Sequence, residues 1–461
     1  MSLRPEQIAA AIVASSSLQE LLPRFHLPDV HMEMIGSLGV STQAMQSFLG
    51  AYAPEGRRPK SCRLDGNELG LIQGLFLALK NNVAIHRSRR ADLLFSLRLS
   101  PSASSVLDNI LSSVPVIYLK RLKTPCPPLR HWIYEDAVHR QRYEDWLATN
   151  PWTPDKRIKT RHYPFYFVDP TDNNLQLDLK PSQSAKVYDA DTKELIMFVL
   201  ADVIAAPHIL SWMTEVIERG CAALRSVRLS DPGKLVVCGY SSGSRNEACL
   251  GWSSTLATGD MAKVFRKKAT GELDRFNCDI SNVFSLTWNI FKKIAPEEVL
   301  QDYSNTVKLY DLPPMDGNGR QKKFFEIPGL SGPTEVHRQY LADMAPVGGL
   351  VAKNYVRYVH TETNLTKYMN SFTTFRGQDS SKGGHFYNCR YGIRVQGGAN
   401  RWVTWKPTDA HGTSLQDVDY SDPNPTDFKQ VGLGTSLSNR LPAAIFGAYM
   451  KMIWEEDEEE D

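Results

Sequence analysis

The chain has 461 residues, 42% of them hydrophobic and 23% charged, the balance of a water-soluble globular protein with room for two or three domains. Its net charge of +2 hides an asymmetry, because EEDEEED at 455–461 carries −7 and leaves +9 on residues 1–454. No stretch reaches membrane-spanning length, and the seven cysteines (62, 126, 221, 238, 249, 278 and 389) form no C-x-x-C pair; this argues against a cysteine zinc site and a disulfide framework and favours a reducing, intracellular compartment.

Residues 1–113 read as a mainly helical N-terminal region, with amphipathic spacing in EQIAAAIVASSSLQELL and again in RADLLFSLRLSPSASSVLDNILSSV. Within it, MEMIGSLGVSTQAMQSFLGAY (32–52) has the spacing of a helix-turn-helix, with Gly39 in the turn and Ser41 as a cap. An ordinary αα-hairpin with a glycine turn has the same pattern. Residues 114–165 mix strand and helix signals around the linker-like stretches TPCPPL and NPWTPDK. From 166 to 454 strands dominate: ELIMFVLADVI, KLVVCGY, NYVRYVH and FKQVGLGTSL, with one amphipathic helix at 208–227. The order predicts an α+β protein, a mainly β core with helices packed outside it, ending in a disordered acidic tail at 455–461.

Basic clusters recur at HRSRR (86–90), LKRLK (119–123), KRIKTRH (156–162) and FRKK (265–268). A basic body with an acidic tail suits a polyanion partner for which the tail competes, and equally an ordinary solvated surface.

Two stretches carry candidate chemistry. In KLVVCGYSSGSRNEACLGW an apolar run leads into Gly239-Tyr-Ser241-Ser-Gly243, which fits the G-x-S-x-G elbow of an α/β-hydrolase with Ser241 as nucleophile. The SRNEACLGW segment after it is short and polar where that fold needs a buried helix. In NYVRYVHTETNLTKYMNSF, His360 and Glu362 are i and i+2, so an extended strand puts both side chains on one face. His411, in HGTSL after an aromatic and β-branched hairpin, would supply a third ligand. Two histidines and a carboxylate on adjacent strands form a facial triad for a metal with open coordination positions. His385, in GGHF, is a rival ligand; the small residues after His411 favour the latter.

The H-x-acid pair, the following Tyr368 and Asn370, the GG-x-F, W-x-P and HGTSL together resemble the 2-oxoglutarate/Fe(II) dioxygenases over residues ~350–442. More narrowly they resemble a fungal branch related to the ten-eleven-translocation methylcytosine dioxygenases and the base J thymine hydroxylases. The resemblance implies a double-stranded β-helix, or jelly roll. It implies Fe(II) on His360, Glu362 and His411, 2-oxoglutarate and O2 as co-substrates, and Gly412 leaving room beside the metal. Lys429 would meet the far carboxylate of 2-oxoglutarate, with Arg394 and Arg440 as alternatives, and Asn370 and Tyr368 would add contacts. Glu362 departs from the aspartate of most relatives by one methylene. The resemblance further implies a methylated base in nucleic acid as substrate, and hence a nuclear location. A protein or small-molecule substrate, and a catalytically inactive β-core acting as a binding module, are the competing readings.

Overall fold

The computed structural model describes residues 93–97, 99, 104–150, 162–169, 171–243, 247–320, 324–329, 332–337, 344–377, 379–422 and 425–459. The chain divides into two units, Met1–Leu94 with Gly329–Gly332, and the remainder. Apart from the tip of one hairpin, the strands and helices named here belong to the second unit. The helix-turn-helix pattern at 32–52 lies outside the described residues.

The first elements are α1 (Ser104–Ser113), β1 (Val116–Leu119), β2 (Trp132–Tyr134), α2 (Ala137–Thr149) and β3 (Phe165–Phe167). Asp136 starts α2 by accepting a hydrogen bond from the Val138 N–H at 2.8 Å, which satisfies one of the unpaired donors of a first turn. Next come β4 (Leu177–Leu179), β5 (Ala185–Asp189) and β6 (Leu195–Leu200). Every residue of LIMFVL in β6 is buried, as a continuous apolar run requires. The helix α3 (Pro207–Ala223) opens with proline in its first turn, where the missing N–H costs nothing.

β7 (Lys234–Ser241) and β8 (Gly251–Trp252) form a hairpin, followed by α4 (Asp260–Arg266), α5 (Glu272–Ile294) and α6 (Glu297–Leu309). In α5, Glu272 and Asp274 sit in the first turn and Lys292 and Lys293 in the last, matching charge to the helix dipole at both ends. The chain continues through β9 (Phe324–Gly329), β10 (Gly332–His337), β11 (Gly348–Lys353), β12 (Met369–Arg376), β13 (Phe386–Asn388), β14 (Ile393–Val395), β15 (Arg401–Trp405), β16 (His411–Thr413) and β17 (Gln430–Thr435). It ends in α7 (Leu441–Glu459), which takes in the start of the acidic run.

The architecture is mixed α+β. A nine-stranded sheet has the order β1-β5-β6-β15-β12-β17-β11-β7-β8, and a four-stranded sheet the order β16-β13-β14-β4. The segment from Asn354 to His360 runs beside β16, with the Thr413 N–H donating to the Arg357 carbonyl at 2.9 Å and His360 bridged to His411. The two sheets pack face to face: Leu179, Ile393 and Val395 of the smaller meet Val187, Met197, Val403 and Trp405 of the larger in one buried cluster. Helices α3 and α5 cover the other side of the large sheet, where Phe291 stacks on Trp402 with ring centroids 5.6 Å apart. Among the described residues no helix is long and apolar enough to cross a membrane, and Cys126, Cys221, Cys238, Cys249, Cys278 and Cys389 are all free.

Candidate metal centre

The site begins at a turn. After β11 the chain reverses at Asn354, whose φ of +49° is one that asparagine tolerates better than most residues, and returns toward the other end of the sheet. There the His360 N–H donates to the His411 carbonyl at 2.8 Å and the His411 N–H to the His360 carbonyl at 2.9 Å. Residues opposed in this way project to the same face, and the two imidazole centroids are 4.3 Å apart. Glu362 comes two residues later, its N–H tied to the Pro407 carbonyl at 2.9 Å. Its Oε1 lies 3.8 Å from His360 Nε2 and 3.5 Å from His411 Nε2.

The tautomers are set by the neighbours. His360 Nδ1 is 2.9 Å from the Tyr358 carbonyl and His411 Nδ1 is 2.8 Å from the Asp409 carbonyl. A carbonyl only accepts, so each Nδ1 carries the proton and each Nε2 turns its lone pair toward Glu362. Burial pushes His360 down to about 4, leaving a neutral imidazole at pH 7. Glu362 is pulled two ways: burial raises its carboxyl, and positive charge at the two imidazole Nε2 positions, as a bound cation would supply, lowers it.

The three residues fit a metal ion. One donor atom from each lies within 4.8 Å of the others. An ion about 2.1 Å from each ligand at right angles needs donors about 3 Å apart, so the donors must draw together to close the set. His411 is buried, whereas the Glu362 side chain is 31% exposed, which leaves one side of the cluster open.

The triad stands at one end of a cavity of about 240 Å³ between the two sheets. Gly432 and Gly434 of β17 line it, and a Cβ at Gly432 would come within 2.7 Å of the Phe372 carbonyl oxygen. Arg357 and Trp405 line it as well, and Arg357 Nε and Trp405 Nε1 are buried donors with no hydrogen-bond partner. The Trp405 ring is 5.7 Å from that of His411.

Of the other expected co-substrate contacts, Asn370 lines the cavity and Lys429, Arg394, Arg440 and Tyr368 do not. Lys429 donates to Glu218 at 3.1 Å and covers the Phe375 ring; it precedes β17 and does not line the cavity. Arg394 makes a two-pronged contact with Asp178, at 2.7 and 2.9 Å, and Arg440 reaches the Gly243 carbonyl. Asn370 borders the cavity, and its side chain accepts from Thr404 at 2.5 Å and donates to Thr435 at 3.3 Å. The Tyr368 hydroxyl donates to the Leu195 carbonyl at 3.2 Å. His385 is no ligand: its Nδ1 accepts from the Gly397 N–H at 2.8 Å and its Nε2 is 3.3 Å from Glu135. Gly412 serves strand contact, since a Cβ there would lie 3.1 Å from the Arg357 oxygen and the Val359 backbone.

The hydrolase elbow does not form. Ser241 ends β7 and pairs with Gly251 of β8, so the chain enters a hairpin, and no helix among the described residues follows until Asp260. A nucleophile elbow needs a strand-to-helix turn at the serine.

Arg357 and Trp405 were not singled out by the sequence. Arg357 lies three residues before His360 on the same ribbon, where strict alternation would turn it to the opposite face, so the sequence carried no signal for it.

No family model matches the chain, and no curated protein matches it. Among solved structures, one described as NgTET1 in complex with 5mC DNA is similar with a TM-score of 0.33 and 9% sequence identity, over 57% of this chain and 79% of that one.

Proposed function

We propose that this protein is an Fe(II)- and 2-oxoglutarate-dependent oxygenase with a jelly-roll core. The observation that carries the reading is the convergence of His360 Nε2, His411 Nε2 and the Glu362 carboxylate at one end of an inter-sheet cavity. Strand order supports the jelly roll: β11, β12, β15 and β17 sit together in one sheet, while the ribbon ending at His360 and β13, β14 and β16 make the other, so successive strands alternate between sheets except at the β13–β14 hairpin. When bound there with 2-oxoglutarate, Fe(II) supplies the oxidising power to break an unactivated C–H bond.

The protein's own residues have definite tasks in this reading. His360, Glu362 and His411 hold the ion on one face and leave the opposite face to ligands. Arg357, with its buried unpartnered Nε, is the cation that meets the far carboxylate of 2-oxoglutarate, in place of Lys429. Trp405 offers a second donor beside His411. Gly432 and Gly434 keep the floor free of side chains, and the apolar walls exclude water.

The substrate in this reading is a methylated base in nucleic acid. Its support is a strap of exposed residues, Lys120, Arg121, Lys123 and Arg130, for which the described residues show no ion pair. The strap is tied to Arg390, Cys389 and Val359 by backbone hydrogen bonds from Leu122, Cys126 and Arg130, and so borders the metal end. A base would have to leave the stack to reach the site.

The test is turnover. Purified protein with Fe(II), 2-oxoglutarate and methylated DNA should form succinate, and His411→Ala should form none. Equal succinate formation by the variant would remove the triad assignment.

A further inference from the structure

The strap that borders the metal end also meets the connection between β3 and β4. There Cys126 of the strap, Tyr166 of β3 and Asp172 of the connection bring three side chains together. Cys126 Sγ is 3.3 Å from the Tyr166 hydroxyl oxygen and 3.8 Å from Asp172 Oδ2, and the hydroxyl oxygen is 3.5 Å from Oδ2. None of the three residues lines the inter-sheet cavity.

This spacing is poor for hydrogen bonding. A hydroxyl donating to a carboxylate normally stands about 2.5–2.7 Å away, so the Tyr166–Asp172 contact is nearly an ångström too long. It suits ligand atoms around an ion. Metal–sulfur bonds of about 2.3 Å and metal–oxygen bonds of about 2.0 Å at the tetrahedral angle put sulfur and oxygen about 3.5 Å apart and two oxygens about 3.3 Å apart. The three observed separations match these to within about 0.3 Å.

The surrounding groups leave a place for a cation. Asp172 Oδ1 is occupied by its own loop, accepting from the Asn174 N–H at 2.8 Å and the Asn174 side-chain amide at 3.0 Å. Among the described residues no lysine or arginine forms an ion pair with this carboxylate. Burial pushes the Cys126 thiol up and Asp172 adds to it, while Cys126 and then burial push the Tyr166 phenol up; a cation between them reverses both effects. A second thiol backs the cluster. Cys389 is fully buried, its carbonyl accepts from the Cys126 N–H at 2.9 Å, and it belongs to the apolar cluster against which Tyr166 packs. Burial raises the Cys389 thiol, and Cys126 raises it further.

We propose that Cys126, Tyr166 and Asp172 form a second metal site, separate from the His360–Glu362–His411 set, for a thiophilic divalent cation of the Zn2+ class, with the Cys389 sulfur as fourth donor. Thiolate with oxygen ligands in a tetrahedron suits zinc. The ion pins the strap that carries Lys120, Arg121 and Lys123 to β3 and to the connection after it. Tyr166 and Asp172 lie 40 and 46 positions from Cys126, so no short cysteine motif announces the site. It stands whether or not iron binds at the triad.

The test uses the full chain, reduced and metal-free, titrated with Co2+ as a spectroscopic stand-in for Zn2+. A thiolate on cobalt gives an intense charge-transfer band in the near ultraviolet, which a histidine–carboxylate site does not. Wild type and His411→Ala should both develop this band, and Zn2+ at one per chain should remove it. Cys126→Ser should lose the band. Asp172→Asn, at a partly exposed position, should weaken Co2+ binding by ~10-fold or more with the far-ultraviolet circular dichroism unchanged. No band in wild type, a band that survives in Cys126→Ser, or one lost in His411→Ala would overturn the site.

Discussion

Arg357 illustrates how a residue acquires a role from its surroundings. It is one of 53 basic residues, yet it turns into a cavity with a donor that nothing in the protein satisfies. Charge-assisted hydrogen bonds contribute about 1.5–3 kcal/mol, so Arg357→Gln should weaken 2-oxoglutarate binding roughly 10- to 100-fold while Fe(II) affinity stays within a few-fold, both read by equilibrium titration. Lys429→Gln should leave both unchanged, because its charge is spent on Glu218. At Gly412 the expected outcome concerns stability. A methyl group would press on the Arg357 and Val359 backbone at 3.1 Å, so Gly412→Ala should cost about 1–3 kcal/mol in urea denaturation. The triad itself was legible because H-x-E on an extended ribbon has only one geometry. Lys429 was misplaced because spacing along a strand cannot say which side of the sheet a side chain takes, and an ion pair with a helix residue 211 positions away is invisible in sequence.

At the scale of elements, the small sheet is held by a buried polar seam. β14 pairs with β4 so that Arg394 lies opposite Asp178, and Arg394, 9% exposed, joins Asp178 to the Glu135 carboxylate of the β2–α2 connection. Removing one partner of a largely buried pair leaves the other uncompensated, so Arg394→Met should cost about 2–4 kcal/mol. The check is chemical denaturation, with Fe(II) binding retained at low denaturant. A second tie joins β6, β12 and β15 near the metal end. Glu194 bonds Lys406 at 2.6 Å and Lys367 at 2.9 Å, and these lysines lower its carboxyl from 4.5 to about 2. A depressed carboxyl stabilises the fold above its unfolded value and loses that contribution as pH falls through the folded value. The difference in Tm between wild type and Glu194→Gln should therefore be present above pH 4.5 and vanish toward pH 2. The effect should be modest, since the Glu194 side chain is 49% exposed and solvent screens the pair. Strands such as β6 and β7 and the helix α3 were readable from their apolar patterns. Helix α5 was not singled out although its apolar residues are segregated to one face; its polar residues Asn277, Ser281, Asn282, Ser285 and Asn289 are buried as well, which a sequence pattern cannot show.

At the scale of the molecule, two packed sheets enclose a cavity that carries a metal-ligand set. The order of strands that wraps the core was beyond reach of periodicity, which gives a strand's faces and not its neighbours. The family resemblance supplied the wrapping as an expectation, and hydrogen-bonded order supplies its support. The most direct test of the oxygenase reading is an anaerobic titration of Fe(II) into the full-length protein with 2-oxoglutarate, monitored in the visible. Wild type should develop a weak metal-to-ligand charge-transfer band at one Fe(II) per chain, attenuated in Arg357→Gln at limiting 2-oxoglutarate and absent in His411→Ala. A wild-type spectrum unchanged by 2-oxoglutarate, or a band that survives in His411→Ala, would contradict the reading.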